Sequence, residues 1–282
     1  MSWVDELKSF FGLRGGPRRK RVAVLGVDGS GKTSLILSIC QYLSRNGFGG
    51  PTPESLPYFS EQIQHEVAHG TVPTMSWNAF AVELRRLPSD RGIVDVSLEI
   101  ASSDLPGHEF KQLVAEVANL ASTNTRAARD NPVFQRFKKL LEGCDGVMFV
   151  VDVVRGHDSS AFATPDQALA TVRLSLTEQL SPIGTAITVA HQHNVTLARK
   201  PFLFVFTKPD IHKIPADRMD SLFDGAMAMP KAVLEREQAV VRRYDVQGAG
   251  WELEDRLEKL GLGPLLLDIA YATDSVIPPE AR

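Results

Sequence analysis

Residues Gly26 to Thr33 read Gly-Val-Asp-Gly-Ser-Gly-Lys-Thr and satisfy the pattern G-x-x-x-x-G-K-[ST] in full. The chemistry open to such a segment is polyphosphate binding. Glycines let the backbone wrap tightly, so that its N–H groups point inward at phosphate oxygens beside the positive end of a helix. Gly26, Asp28, Gly29, Ser30, Gly31, Lys32, Thr33 and Ser34 are therefore the candidate phosphate-binding residues. Lys32 is placed to reach the β- and γ-phosphates, and the Thr33 hydroxyl to ligate Mg²⁺. The expected ligand is a nucleoside polyphosphate.

Two more motifs could complete a site. Asp104-Leu-Pro-Gly107-His108 offers an acid that can hold Mg²⁺ through water, and a glycine whose N–H can approach a γ-phosphate. Thr207-Lys-Pro-Asp210 offers a carboxylate that can accept two hydrogen bonds from the N1–H and exocyclic amine of guanine. Adenine presents an acceptor and the wrong donor geometry, so a buried Asp210 would reject it. Lys208 would lay its stem along the base and ribose. The plain alternatives are a turn glycine after a strand and a polar helix cap. The order of the two motifs and their strand-end positions favour the chemical reading, since open α/β sheets bind ligands at those ends.

The elements that must position these residues are legible as alternating buried strands and helices. Arg21–Leu25 is a short apolar strand before the loop, and Ser34–Leu43 has helical spacing after it. A loop from Asn46 to Pro53 precedes a short helix near 60–69, with Ser60 as N-cap and Gly70 as stop. Residues 76–86 and 93–103 read as strands joined by a hairpin-type turn at 87–92, and 108–142 as mostly helical with a break before Asn131-Pro132. Gly146–Asp152 and Phe202–Phe206 are buried strands, with a long helix over about 165–193 between them. Helical material is expected to about 243 and again near 252–260, and a last strand over Leu265–Ala270. The pattern implies an α/β fold of three layers, a mostly parallel central sheet with helices on both faces.

Composition excludes little beyond this. The 282 residues carry a formal net charge of −3, which gives no reason to invoke nucleic acid. Cys40 and Cys144 both sit in apolar contexts and read as buried free thiols of a reducing, cytoplasmic protein. Apolar runs are too short to span a bilayer, and the first residues lack the form of a signal peptide. Residues 2–13 place Trp3, Val4, Leu7, Phe10 and Phe11 on one helical face, and Arg14 to Arg21 add five positive charges and no negative one. Such a segment can lie in a lipid interface as a peripheral membrane contact. It can equally pack on its own domain with a solvated basic linker, and Asp5 and Glu6 weaken attraction to anionic lipid.

Taken together, these motifs resemble those of P-loop GTPases of the Ras and translation-factor superclass, over residues 21–210. The likeness is greatest to the ADP-ribosylation-factor (Arf) group. Asp28 stands where Arf-type loops carry Asp, and Gly70-Thr-Val-Pro-Thr-Met-Ser-Trp-Asn78 is similar to the Arf switch I segment. The resemblance implies that Thr74 closes over Mg²⁺ and the γ-phosphate, alongside Thr33 and Asp104. The second switch, Asp-Leu-Pro-Gly-His, resembles that of elongation factor Tu instead and implies that His108 orients the attacking water. The plain alternative for His108 is a residue that merely starts the next helix. The guanine-closing loop matches least well, its candidates being Ala272 and Thr273 after the expected strand 265–270. Residue 2 is Ser, so myristoylation of an N-terminal glycine is not implied. The organisation implied is an amphipathic helix and linker over 1–20 and a GTPase domain over 21–282, with insertions around 118–145 and 155–195. Mg²⁺ is the implied cofactor. GTP and GDP are the implied ligands, and effector, exchange or activating proteins the implied partners.

Other chemistries were weighed on the same residues. The loop is also similar to that of thymidylate kinase, but an arginine-bearing lid and an acceptor-nucleotide motif are not found. A GTP-gated binding module with negligible hydrolysis would share every motif, since no arginine finger is identifiable in cis. His65-Glu-Val-Ala-His69 is a literal H-E-x-x-H, the zinc-peptidase pattern. Its helix is short, ends at Gly70, and lacks a suitably spaced third histidine, which makes a polar surface helix the plainer reading.

Overall fold

The computed structural model describes residues 18–61, 78–89, 92–104, 106–122, 125–154, 164–198, 200–207, 214–246 and 265. Among them seven strands form one sheet in the order β2-β3-β4-β1-β5-β6-β7. The strands are β1 Arg18–Leu25, β2 Gly49–Pro51, β3 Asn78–Ser89, β4 Gly92–Asp104, β5 Gly146–Asp152, β6 Pro201–Thr207 and β7 Val240–Val246. The pairs from β4 through β7 are parallel, whereas β2–β3 and β3–β4 are antiparallel. Helices α1 Lys32–Arg45, α2 Gly107–Asn119, α3 Thr125–Asp130, α4 Pro132–Glu142, α5 Pro165–Gln192 and α6 Ala216–Arg236 complete the layers.

Side-chain alternation along the central strands explains why both faces must be covered. All seven residues of β5 and all seven of β6 are buried. Phe149, Val151, Phe202, Phe204 and Phe206 point into a core shared with α2, α4, α5 and α6. Met148, Val150, Leu203 and Val205 point the other way, against Leu35, Ile36 and Leu43 of α1. A strand buried on both sides reads as a continuous apolar run and belongs inside a parallel sheet. α4 starts where the sequence indicated. Asn131 caps it by accepting from the N–H groups of Val133 and Phe134 at 2.8 and 3.2 Å, with Pro132 in its first turn.

Several expectations are corrected. Residues 240–246, expected to lie in or beside helical material, form the edge strand β7. Its charges are accommodated within the strand, because Arg243 bridges Asp245 and Asp220 at 3.0 and 3.2 Å and lies 5.5 Å above the Phe206 ring. Leu265, expected to begin a strand, is helical and fully buried on the α1 face. A short apolar run after Gly-Pro fits either element by periodicity alone, and packing decides. The short helix near residue 60 is already under way at Leu56, so Ser60 is not its cap. β1 begins at Arg18 rather than Arg21, because the long β4 gives Arg18, Arg19 and Lys20 partners at Leu98, Glu99 and Ile100. The hairpin is tighter than expected, with Ser89 paired to Gly92.

Candidate nucleotide-binding site

The loop from Gly26 to Thr33 joins the end of β1 to α1, as its pattern requires. Gly31 holds φ +86°, a left-handed conformation that disfavours any side chain, and a Cβ there would touch Thr207 at 3.5 Å. Gly31 caps α1 without a side-chain hydrogen bond, and the first turn contains no acid. The positive end of the helix is thus left facing the loop. Lys32 is buried, and its Nζ donates to the carbonyls of Gly26 and Val27 at 3.1 and 3.2 Å. Ser30 is fully buried, and its Oγ has no hydrogen-bond partner among the described residues. An orphaned hydroxyl inside a left-handed glycine turn at a helix start suits a phosphate oxygen as partner.

The start of α2 leans directly on this loop. A Cβ on Gly107 would lie 2.2 Å from the Asp28 nitrogen and 2.5 Å from Asp28 Oδ1 and from the Val27 carbonyl carbon. Only glycine allows that approach. His108 follows in the first turn of α2 with its side chain exposed. Asp104 is the last residue of β4, in register with Val24 of β1. The sheet therefore delivers the ends of β1 and β4 to one place.

The end of β6 supplies the third wall. The Thr207 hydroxyl donates to the Ser30 carbonyl at 2.8 Å and approaches the Val151 carbonyl at 3.3 Å. Of the Thr207-Lys-Pro-Asp210 motif, only Thr207 is described, and it grips the phosphate loop. Thr74, Lys208, Asp210, Ala272, Thr273, the His65–His69 segment and residues 2–13 lie outside the described residues. The strand expected before Ala272 is not what Leu265 shows; among the described residues β7 is the last strand, and Val246 ends it beside Thr207.

The sequence reading missed a buried polar cluster behind the loop. Asp152 ends β5, and its backbone N–H and C=O are both held by the Gln179 side chain of α5, at 3.1 and 2.7 Å. Ser175, one turn earlier, donates to the same carbonyl at 2.8 Å. Spacing of i, i+4 places both polar side chains on one face of α5, the only signal the sequence offered.

Metal-binding potential follows from the donor set. No three His, Cys, Asp or Glu side chains converge among the described residues. Mg²⁺ in nucleotide sites is held by one or two protein oxygens, phosphates and water, and Thr33 at the helix start is a donor of that kind. A separate cavity of about 550 Å³ opens at the opposite end of the strands, where Lys20 and Lys200 face Glu142 and Asp145. Its cations and carboxylates are matched in number, and Lys200 is turned to the carbonyls of Leu141 and Cys144. Both cysteines are buried and unpaired, and burial pushes each thiol well above its ordinary range.

No protein-family model matches the chain, and comparison with curated proteins gives no match. Solved structures do match. The GTPase-like domain of Ski7 from S. cerevisiae, bound to GTP, superposes with a TM-score of 0.50 at 12% identity, covering 97% of this chain and 53% of that one. This is the GTPase fold. A GTP-binding protein from Sulfolobus solfataricus in complex with GDP matches at 15% identity and a TM-score of 0.40, covering 96% of this chain and 55% of that one. The signal recognition particle receptor SRb-GTP/SRX complex from Chaetomium thermophilum matches at 15% identity and a TM-score of 0.41, covering 86% and 99%. The chain spans about half the length of the first two. At 12% identity, what the chain shares with the Ski7 domain is the fold.

Proposed function

We propose that the chain is a guanine-nucleotide-binding switch that binds GTP and GDP with Mg²⁺ and hydrolyses GTP, slowly without a partner. The observation that carries this is the meeting of three segments. The start of α2 at Gly107 and the end of β6 at Thr207 each touch the phosphate loop, at the carboxyl ends of the parallel strands. In this reading Gly26 to Ser34 cradle the phosphates and Lys32 offsets their charge. Thr33, Asp104 and Thr74 would hold Mg²⁺, which would supply positive charge to offset that of the phosphates. The Gly107 N–H reports the γ-phosphate, and His108, exposed beside it, orients the attacking water. Thr207 fixes the base motif to the loop while Lys208 and Asp210 select guanine. Ala272 and Thr273 are the candidates for the guanine-closing backbone.

Within this class the phosphate loop and switch I support an Arf-like assignment, and the second switch a translation-factor-like one. The amphipathic segment 2–13 with its basic neighbour supports recruitment from the cytoplasm to a membrane surface. The insertions around 118–145 and 155–195 are where effector, exchange or activating proteins would engage. Among the described residues no helix is long and apolar enough to cross a membrane.

Calorimetric titration of the nucleotide-stripped chain tests the assignment, using Mg²⁺ with GDP, a GTP analogue, ADP and an ATP analogue. Tight Mg²⁺-dependent guanine binding with negligible adenine binding is expected. Equal or preferential adenine or thymine-nucleotide binding refutes it and brings the kinase reading forward. Asp210→Asn should shift preference toward xanthine nucleotides with folding retained; unchanged GTP affinity without xanthosine binding would sink that role. Liposome sedimentation of the intact chain should be lost on deleting residues 2–13, and an intact chain that stays in the supernatant ends the membrane reading.

A further inference from the structure

We infer that Gln179 is a positioning residue through which α5 controls how firmly the phosphate loop holds its ligand. The inference rests on the nucleotide-binding reading for its consequence and on local geometry for its substance. Gln179 is buried, and its amide binds the Asp152 peptide as a neighbouring strand would. Oε1 accepts from the Asp152 N–H at 3.1 Å, and Nε2 donates to the Asp152 carbonyl at 2.7 Å. Ser175 closes the arrangement, its Oγ donating to the same carbonyl at 2.8 Å and lying 3.0 Å from Gln179 Nε2. Both side chains converge on the backbone of one residue, in the peptides where β5 ends.

That residue is one link from the loop. Asp152 pairs with Thr207 across the β5–β6 ladder, and the Val153 N–H reaches the Thr207 carbonyl at 3.4 Å. Thr207 in turn holds the Ser30 carbonyl at 2.8 Å. A continuous buried path therefore runs from α5 through Asp152 and Thr207 to Ser30. Every member is nine-tenths or more buried, so each bond is made in a low dielectric where loss leaves a polar group unsatisfied. A shift of α5 along its axis would drag the strand ends that carry the loop and the base motif. α5 is 28 residues long and exposes Asp166, Gln167, Arg173, Thr177, Glu178 and Ser181, which gives a binding partner a handle on nucleotide release.

The test compares the full chain with Gln179→Met, which keeps the length and removes the amide, and with Leu180→Ala. Leu180 is a fully buried core residue next to the clamp that makes none of its bonds. Hydrogen exchange of residues 26–33 in the nucleotide-free chain is read first, then the release rate of a fluorescent GDP analogue. Gln179→Met should speed exchange in the loop and release by at least tenfold. Leu180→Ala should lower the melting temperature while leaving both readouts near wild type. Wild-type exchange and release in folded Gln179→Met, or equal effects in Leu180→Ala, overturn the inference. If Gln179→Met does not fold, Ser175→Ala decides: it deletes one oxygen of the clamp and should speed both readouts about threefold, whereas no change overturns it. A wild-type chain that binds no guanine nucleotide would refute the functional reading and leave loop exchange alone to judge the clamp.

Discussion

Gly107→Ala puts the central geometry at risk with one methyl group. A Cβ at this position would sit 2.2 Å from the Asp28 nitrogen, and ordinary contact begins at 3.4 Å, so about 1.2 Å of relief is required. Flexible side chains cannot supply it, because two of the three nearest atoms belong to the phosphate-loop backbone. Either the loop or the start of α2 must move. Overpacking of this kind costs about 1–3 kcal/mol. Helix propensity acts in the opposite direction, favouring alanine by at most about 1 kcal/mol. Displacement falls on Val27 and Asp28, inside the polyphosphate cradle, so we expect affinity for both GDP and a GTP analogue to drop about tenfold to a hundredfold. A fall in melting temperature of a few degrees should accompany it. Calorimetric titration with Mg²⁺ and each nucleotide, beside a melting curve, measures both. A Gly107→Ala chain with wild-type affinity that melts at or above the wild-type temperature would refute the packing argument and the placement of α2 against the loop.

His108→Ala should retain nucleotide affinity, since the side chain is exposed, and lower GTP turnover at least tenfold, a barrier increase of about 1.4 kcal/mol; wild-type turnover would reduce His108 to a helix starter. Asn131→Ala should cost about 1 kcal/mol of stability by removing the cap on the N–H groups of Val133 and Phe134, without changing nucleotide binding, as a denaturant titration would show. His193 makes stability pH-dependent in a stated direction. It is buried with its Nδ1 unpartnered among the described residues, and burial, then the Arg129 charge, lower its pKa below the usual 6.5. The folded state thus binds fewer protons than the unfolded one just below that value, and stability should fall as pH drops through about 6.5. Denaturant titrations at pH 7.5 and 5.5 should show this loss in wild type and a smaller one in His193→Gln.

Elements buried on both faces, or carrying a motif at their ends, were legible in the sequence. β5 and β6 are buried apolar runs: the expected limits Gly146–Asp152 hold for β5, and β6, expected over Phe202–Phe206, extends one residue further at each end. The break at Asn131-Pro132 showed a cap and a first-turn proline in the residues themselves. β7 was hidden because an edge strand needs only one protected face. Its Arg242, Arg243 and Asp245 gave no apolar alternation, and what fits Arg243 to the strand is Asp220 and Phe206, distant in sequence. Leu265 failed for a related reason, since a run of leucines states burial without stating period. At the site, Gly26 to Thr33 and Gly107 were legible because backbone geometry demands glycine there. Gln179 was not, because a side chain that imitates a strand has no spacing rule, and only the folded position of Asp152 gives it a role.

Thr207 joins these two kinds of information. As the first residue of Thr-Lys-Pro-Asp it was expected to serve the base, yet its hydroxyl is spent on the phosphate loop. In the proposed reading one residue thereby couples base recognition to phosphate binding, because the Thr207 hydroxyl ties the end of β6 to Ser30. That coupling makes a switch economical. In the proposed reading a γ-phosphate would need to move only Gly107, which already packs against Asp28, and a partner only α5, which already holds Asp152. The two inputs approach the loop from opposite sides, α2 against Val27 and Asp28, β6 against Ser30 and Gly31. A ligand that orders one side and a partner that strains the other would therefore act on the same eight residues. Their effects on nucleotide release should be reciprocal, as linkage between two sites on one equilibrium requires.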